Sequence, residues 1–193
     1  IKSEDDNHLY ISSALGEFCL RKNKIKNILH INILFSIALS IEAGSSIDAV
    51  ISGIESFSGI EGRFYEFYSK DKSKIIDDSY NANPQSMKSA IERLATFKNT
   101  RIFVMGDMGE LGDNAYKHHT SIFKLVKELG IEYLFYMGNY KEEARTIFGK
   151  NCYTFDDIFI LIDSLRKIAI QDTSVLIKAS RYMNFDIIAR ELK

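Results

Sequence analysis

The chain has 193 residues, room for one domain of ordinary size and part of another. Hydrophobic residues make up 46% and charged residues 26%, the balance of a globular rather than a disordered protein. With 25 basic and 26 acidic residues the net charge is −1, and no stretch is basic enough to follow a phosphate backbone, which argues against nucleic acid as a partner.

In chain order, Leu9 to Leu20 reads as a strand-like piece interrupted by Gly16. The longest nearly apolar run, Ile28 to Ile41, is broken by His30, Asn32, Ser36 and Ser40. It is too short and too polar for a bilayer span, so it reads as a core helix and no membrane insertion is expected. Ile33, Leu34, Ile37, Leu39 and Ile41 crowd that segment, and Gly44 supplies a C-terminal stop. Ser46 can cap a second helix with apolar positions Ile47, Val50, Ile51 and Ile54. Ser56 to Gly62, with Gly59 and Gly62, reads as a loop and a boundary between residues 1–60 and 61–193. Cys19 and Cys152 lack metal-type spacing and are too few for a disulfide scaffold, so a reducing, cytoplasmic home fits. The start at Ile1, with no signal-peptide pattern, suggests a piece of something longer.

Past the boundary, Arg63 to Tyr68 alternates as a strand and Lys70 to Ser73 is a polar turn. Strands are then expected at 74–78, 101–105, 132–137, 151–154 and 174–178, and helices at 84–97, 115–129, 140–148, 156–169 and 183–192. This alternation predicts an α/β fold: a Rossmann-like, mostly parallel sheet flanked by helices, with a helical segment before it. Ile102–Met105 and Val175–Ile177 are continuously apolar, as strands covered on both faces are. Ligands of such sheets sit at the C-terminal strand ends.

Three loops there carry polar groups. The first reads Asp77-Asp78-Ser79-Tyr80-Asn81-Ala82-Asn83-Pro84. Asn83 suits the N-cap of the next helix, with Pro84 at its first position. Asp77 and Asp78, adjacent carboxylates that cannot both face solvent, are candidates for ribose hydroxyls or a metal. The second loop, Gly106-Asp107-Met108-Gly109-Glu110-Leu111-Gly112, allows close backbone approach, and Asp107 beside the strand end is its candidate. Glu110 reads as a solvated acid. The third, Lys178-Ala179-Ser180-Arg181, puts two cations and a hydroxyl at a helix N-terminus, a candidate anion site. His118 and His119 cannot share one helix face, so no two-histidine metal site is expected; His119 is the one placed to face the loops. No Ser/His/Asp or Cys/His catalytic constellation is visible.

The strings DDSYNANP (Asp77–Pro84), GDMGELG (Gly106–Gly112) and KASRYM (Lys178–Met183), in this order and spacing, resemble the C-terminal domain of the Mur ligases. Within that family they are most similar to the branch that adds D-alanyl-D-alanine to a UDP-linked muramoyl-tripeptide. Gly62-Arg63-Phe64 resembles the family's glycine–arginine pair, and His119 falls where the family has a histidine. The helices over residues 1–60 are similar to the end of its central ATP-binding domain. The resemblance implies a monomeric, cytoplasmic, ATP- and Mg2+-dependent ligase of peptidoglycan synthesis that works through an acyl phosphate. It implies that Asn32 lies near the adenine, and that Arg63 and Asp78 meet the nucleotide ribose or phosphates. Asn83, Ser180 and Arg181 would lie near the dipeptide, with Arg181 or Lys178 for its carboxylate. Asp77, Tyr80, Asp107 and His119 are further candidate members of the site.

Two departures stand out. Ile28-Leu29 replace a His-Asn pair of the family, and Ala179 replaces a glycine. No G-x-x-x-x-G-K-[ST] phosphate loop occurs in these residues, so ATP and Mg2+ are expected to be bound mainly by other parts, and these residues alone to be inactive. Rival readings are a receiver-like signalling domain, suggested by Asp77, Asp78 and Lys178, and a binding-only domain of the same fold. A sister ligase with another acceptor is a closer rival. A nicotinamide-binding domain would need G-x-G-x-x-G after its first strand, where this chain has Asn and Pro.

Overall fold

The computed structural model describes residues 1–25 and 30–193 and divides into two compact units, Ile1–Gly59 and Ile60–Lys193. Ile28 and Leu29 lie outside the described residues.

In the first unit, the strand-like piece expected over Leu9 to Leu20 is a hairpin. Strands β1 (Ser3–Glu4), β2 (His8–Ser13) and β3 (Gly16–Arg21) form an antiparallel sheet in that order. Gly16, at φ +123°, takes a backbone conformation that side-chain-bearing residues rarely adopt, and it lets the chain turn back so that Leu9 pairs with Leu20. Residues 1–59 therefore hold a small sheet beside the expected helices. Helices α1 (Lys22–Ile25), α2 (His30–Glu42) and α3 (Ile47–Ser56) follow. The Ser46 hydroxyl accepts from the Ala49 N–H and caps α3 as its position predicts. Leu9, Ile11, Leu20, Ile25, Ile33, Ile37 and Val50 pack as one core. Helix α2 is apolar beyond that core: Ile31, Phe35 and Leu39 are 54%, 63% and 70% exposed.

The second unit is a six-stranded sheet. Its strands are β4 (Tyr65–Tyr68), β5 (Lys74–Asp77), β6 (Thr100–Gly106), β7 (Tyr133–Met137), β8 (Cys152–Phe155) and β9 (Thr173–Lys178), in the order β4-β5-β9-β6-β7-β8. All pairings are parallel except β4 with β5. The strand expected from Arg63 begins at Tyr65, because Phe64 has φ +54° and breaks the extended run. Helices α4 (Pro84–Ala95), α5 (Ala115–Glu128) and α6 (Lys141–Phe148) cover one face of the sheet; α7 (Ile158–Arg166) and α8 (Asp186–Glu191) cover the other. The helix expected over 183–192 starts later, because Asn184 is left-handed at φ +53° after a 3-10 turn over Arg181–Met183.

The continuous apolar runs have the predicted cause. Phe103, Met105 and Leu176 pack beneath α4 and α5, while Ile102, Val104, Val175 and Ile177 pack against α7 and α8. Each such fully buried side chain contributes about 1.5–3 kcal/mol relative to exposure. Among the described residues no helix is long and apolar enough to cross a membrane.

Candidate functional site

The strand order builds the site. Because β9 lies between β5 and β6, the loops that follow these strands emerge side by side at the C-terminal edge of the sheet. Hydrogen bonds then tie them together.

The first loop is held from two sides. Asp77 is buried, and its carboxylate accepts from the Ser79 N–H (3.1 Å), the Ser79 hydroxyl (2.6 Å) and the Gly62 N–H (2.9 Å). Its oxygens are thus engaged within the protein, which is how the fold accommodates the first of two adjacent carboxylates. Asp78 accepts from the Phe64 N–H (3.1 Å) and from the Lys178 Nζ (2.6 Å). Burial raises the Asp78 carboxyl above the ordinary carboxylate value, while Lys178 pulls it the other way. Asn83 caps α4 reciprocally: its side chain accepts from the Ser86 N–H (2.8 Å) and its own N–H donates to the Ser86 hydroxyl (3.1 Å), with Pro84 opening the helix.

The third loop acts as a tie between the other two. Lys178, expected as a cation open to a ligand, is only 2% exposed and also donates to the Asn81 carbonyl at 2.9 Å. A buried ammonium needs such partners, and its charge is balanced by Asp78 rather than offered to solvent. The Ser180 hydroxyl accepts from the Gly109 N–H (2.7 Å) and donates to the Ala82 carbonyl (3.3 Å), and the Ser180 N–H donates to the Asp107 carbonyl (2.9 Å). Ala179, in place of the family's glycine, is fully buried with its Cβ directed at Gly106; a Cβ on Gly106 would lie 2.6 Å from it. The loop is thus closed by a small-residue contact. Arg181 is exposed and pairs with Asp186 at 3.2 Å.

The second loop is anchored to α5 and to the end of β7. His119 faces the loops: its Nε2 accepts from the Met108 N–H (2.9 Å) and its Nδ1 donates to the Ala115 carbonyl (2.7 Å). Both ring nitrogens are satisfied by the neutral imidazole, and burial depresses the pKa from its ordinary 6.5, against the pull of the Ala115 bond and Asp107. The Asp107 carboxylate accepts from Tyr136 Oη, the Asn139 N–H (3.0 Å) and the Asn139 side-chain amide (2.6 Å). Burial and the bond to Asp107 push the Tyr136 phenol up, so it acts as a donor.

Tyr136 and Asn139 were not among the sequence candidates. The available signal was a tyrosine inside an otherwise apolar strand, since a buried phenol needs a partner.

Arg63 sits differently from these anchors. Its side chain is exposed, its guanidinium lies 4.2 Å over the Tyr80 ring, and it makes no ion pair among the described residues. Tyr80 is itself 47% exposed. Nearby, the Arg93 guanidinium stacks 3.8 Å over Phe64. Asn32 belongs to the other unit, exposed on α2. Among the described residues no group of three or more His, Cys, Asp or Glu could hold a metal ion.

Residues 62–181 match the family described as "Mur ligase, glutamate ligase domain". UDP-N-acetylmuramoyl-tripeptide–D-alanyl-D-alanine ligase of Escherichia coli (strain K12) is 30% identical over 164 residues, covering 84% of this chain and 36% of the relative. A crystal structure of MurF from Acinetobacter baumannii superposes with a TM-score of 0.75 at 25% identity, over 96% of this chain and 41% of that one. MurF ligase from Thermotoga maritima, in complex with ADP, shares the fold, with a TM-score of 0.75 at 22% identity over 96% of this chain and 42% of its own. The chain therefore spans well under half the length of these relatives. The matched span encloses Arg63 and all three loops through Arg181, and on that match the chain belongs to the Mur ligase family.

Proposed function

We propose that this chain is the C-terminal part of an ATP-dependent carbon–nitrogen ligase that joins D-alanyl-D-alanine to UDP-N-acetylmuramoyl-tripeptide in peptidoglycan precursor synthesis. The reaction in this reading forms an acyl phosphate on the tripeptide carboxylate, which the dipeptide amine then attacks. Residues 61–193 are the domain that closes over the nucleotide and carries the incoming dipeptide; residues 1–60 are the end of the central ATP-binding domain. The observation that carries the reading is the family match over residues 62–181, which takes in Arg63 and the three loops together. The names of the relatives supply the substrates, and the ADP complex of the Thermotoga maritima ligase supports the nucleotide.

The geometry refines the roles. Arg63 is the group open to a nucleotide phosphate, because it is charged, exposed and without an ion pair among the described residues. Asp78 acts beside it by holding the Phe64 N–H and Lys178. For the dipeptide carboxylate Arg181, which is exposed although paired with Asp186, is preferred over Lys178, whose ammonium is buried against Asp78 and Asn81. Asn83 and Ser180 shape the edge where the dipeptide lies. Phosphate cradling and Mg2+ come from parts outside these residues, and the 193 residues alone are inactive. The receiver-like reading loses support from the strand order, because the doubly wound order of such domains puts the last strand at an edge while β9 here is interior.

The test is phosphate release from ATP by the longest natural chain containing these residues, with Mg2+ and the UDP-muramoyl-tripeptide. Release that depends on D-alanyl-D-alanine is expected from that chain and not from residues 1–193. Release indifferent to the dipeptide would point to another acceptor, and turnover by residues 1–193 alone would overturn the division of labour.

A further inference from the structure

Segment 62–64 and the loop after β5 are held together at three backbone points. The Gly62 N–H donates to Asp77 Oδ2 (2.9 Å), the Tyr80 N–H donates to the Gly62 carbonyl (2.9 Å), and the Phe64 N–H donates to Asp78 Oδ1 (3.1 Å). Gly62 has φ +79°, and a Cβ placed on it would come within 3.3 Å of the Tyr80 Cβ, so the two backbones lie as close as glycine permits. The side chains that project from this tie are Arg63 and Tyr80, and the guanidinium carbon stands 4.2 Å from the ring centroid. A guanidinium attracted to a ring face is held in position while its N–H edge stays available for a bidentate oxyanion. Arg63 is exposed and has no carboxylate partner among the described residues, so the ring is the contact that orders it.

We propose that Tyr80 is the positioning residue for Arg63: the ring face of Tyr80 sets the guanidinium to receive a phosphate of the nucleotide, and its hydroxyl is dispensable. This rests on the reading of Arg63 as a nucleotide contact. The sequence alone did not couple the two residues, which lie on either side of the β4–β5 hairpin.

The experiment measures KM for ATP and kcat in dipeptide-dependent phosphate release by the longest natural chain, comparing wild type with Tyr80→Phe, Tyr80→Leu, Arg63→Ala and the Tyr80→Leu/Arg63→Ala pair. Tyr80→Leu is expected to raise KM for ATP about two- to fivefold with a smaller change in kcat, the size of an exposed cation–π contact. Tyr80→Phe is expected to restore the wild-type KM. In the Arg63→Ala background Tyr80→Leu should add nothing, because the residue acts through the arginine. An unchanged KM in Tyr80→Leu, a phenylalanine variant as impaired as the leucine one, or additive effects in the pair would each overturn the proposal while the ligase reading stands. Absent release by the wild-type chain would instead overturn that reading, and this inference with it. If Tyr80→Leu fails to fold, Tyr80→Gln decides: it keeps a flat polar side chain but offers no ring face, so an unchanged KM overturns the proposal, and a raised KM that adds nothing in the Arg63→Ala background supports it.

Discussion

The Ser180 hydroxyl joins the Gly109 N–H and the Ala82 carbonyl, partners 71 and 98 residues away in the chain. Replacing it with Ala leaves a partly buried N–H and a carbonyl without their partner, so Ser180→Ala should cost about 1–3 kcal/mol, readable as a lowered urea midpoint. The sequence placed Ser180 and Lys178 in the loop at the C-terminal edge of the sheet. It could not show that they face inward, because that depends on which strands become neighbours. His119 adds a pH dependence. Its folded pKa lies below the unfolded value near 6.5, so the unfolded chain binds more protons as pH falls past that point. The stability it contributes is therefore complete above 6.5 and lost as pH falls through the lower, folded pKa. In His119→Leu this component of the slope should vanish; an unaltered pH profile in equilibrium unfolding would mean that folding does not depress the His119 pKa. The variant should also lose about 1–3 kcal/mol at neutral pH, since the Met108 N–H loses its acceptor.

At the scale of elements, two glycines without unusual backbone angles respond to a methyl group in opposite ways. A Cβ on Gly138 would stand 2.1 Å from Asp107 Oδ1 and 2.6 Å from the Tyr136 hydroxyl, so Gly138→Ala must displace the contact that fastens the second loop to β7. A loss of about 2 kcal/mol or more is expected in thermal unfolding, within the range for overpacking. Gly53, inside α3 with nothing within 4 Å of its missing Cβ, gives the opposite sign: Gly53→Ala should stabilise the first unit by about 0.5–1 kcal/mol. The elements most legible in the sequence were those with a local cause. The interior strands β6 and β9 were marked by unbroken apolar runs, and α4 by Asn83 with Pro84. The hairpin of β2 and β3 was blurred into one piece because its turn rests on the backbone freedom of a single glycine. The late start of α8 depends on one left-handed asparagine, and the antiparallel direction of β4 on pairing that no local pattern reports.

For the whole molecule, α2 carries a consequence for handling. Ile31, Phe35 and Leu39 repeat every four residues along one exposed stripe, and a helix apolar on several faces is normally covered. Residues 1–193 expressed alone should bind a hydrophobic dye and self-associate at high concentration. Phe35→Glu with Leu39→Lys should suppress both, with circular dichroism unchanged; dye binding that survives the pair would place the sticky surface elsewhere. The strand order has its own consequence, for biosynthesis. Of the six strands of this sheet β9 is the latest in chain order, and it is the one that bridges β5 to β6. While the ribosome is still translating residues before 173, β5 and the β6–β7–β8 group cannot zip into one sheet, and their inner edges wait unpaired. A chain stopped before residue 173 therefore lacks the keystone of the sheet, and the nascent protein should depend on chaperones until β9 has been made.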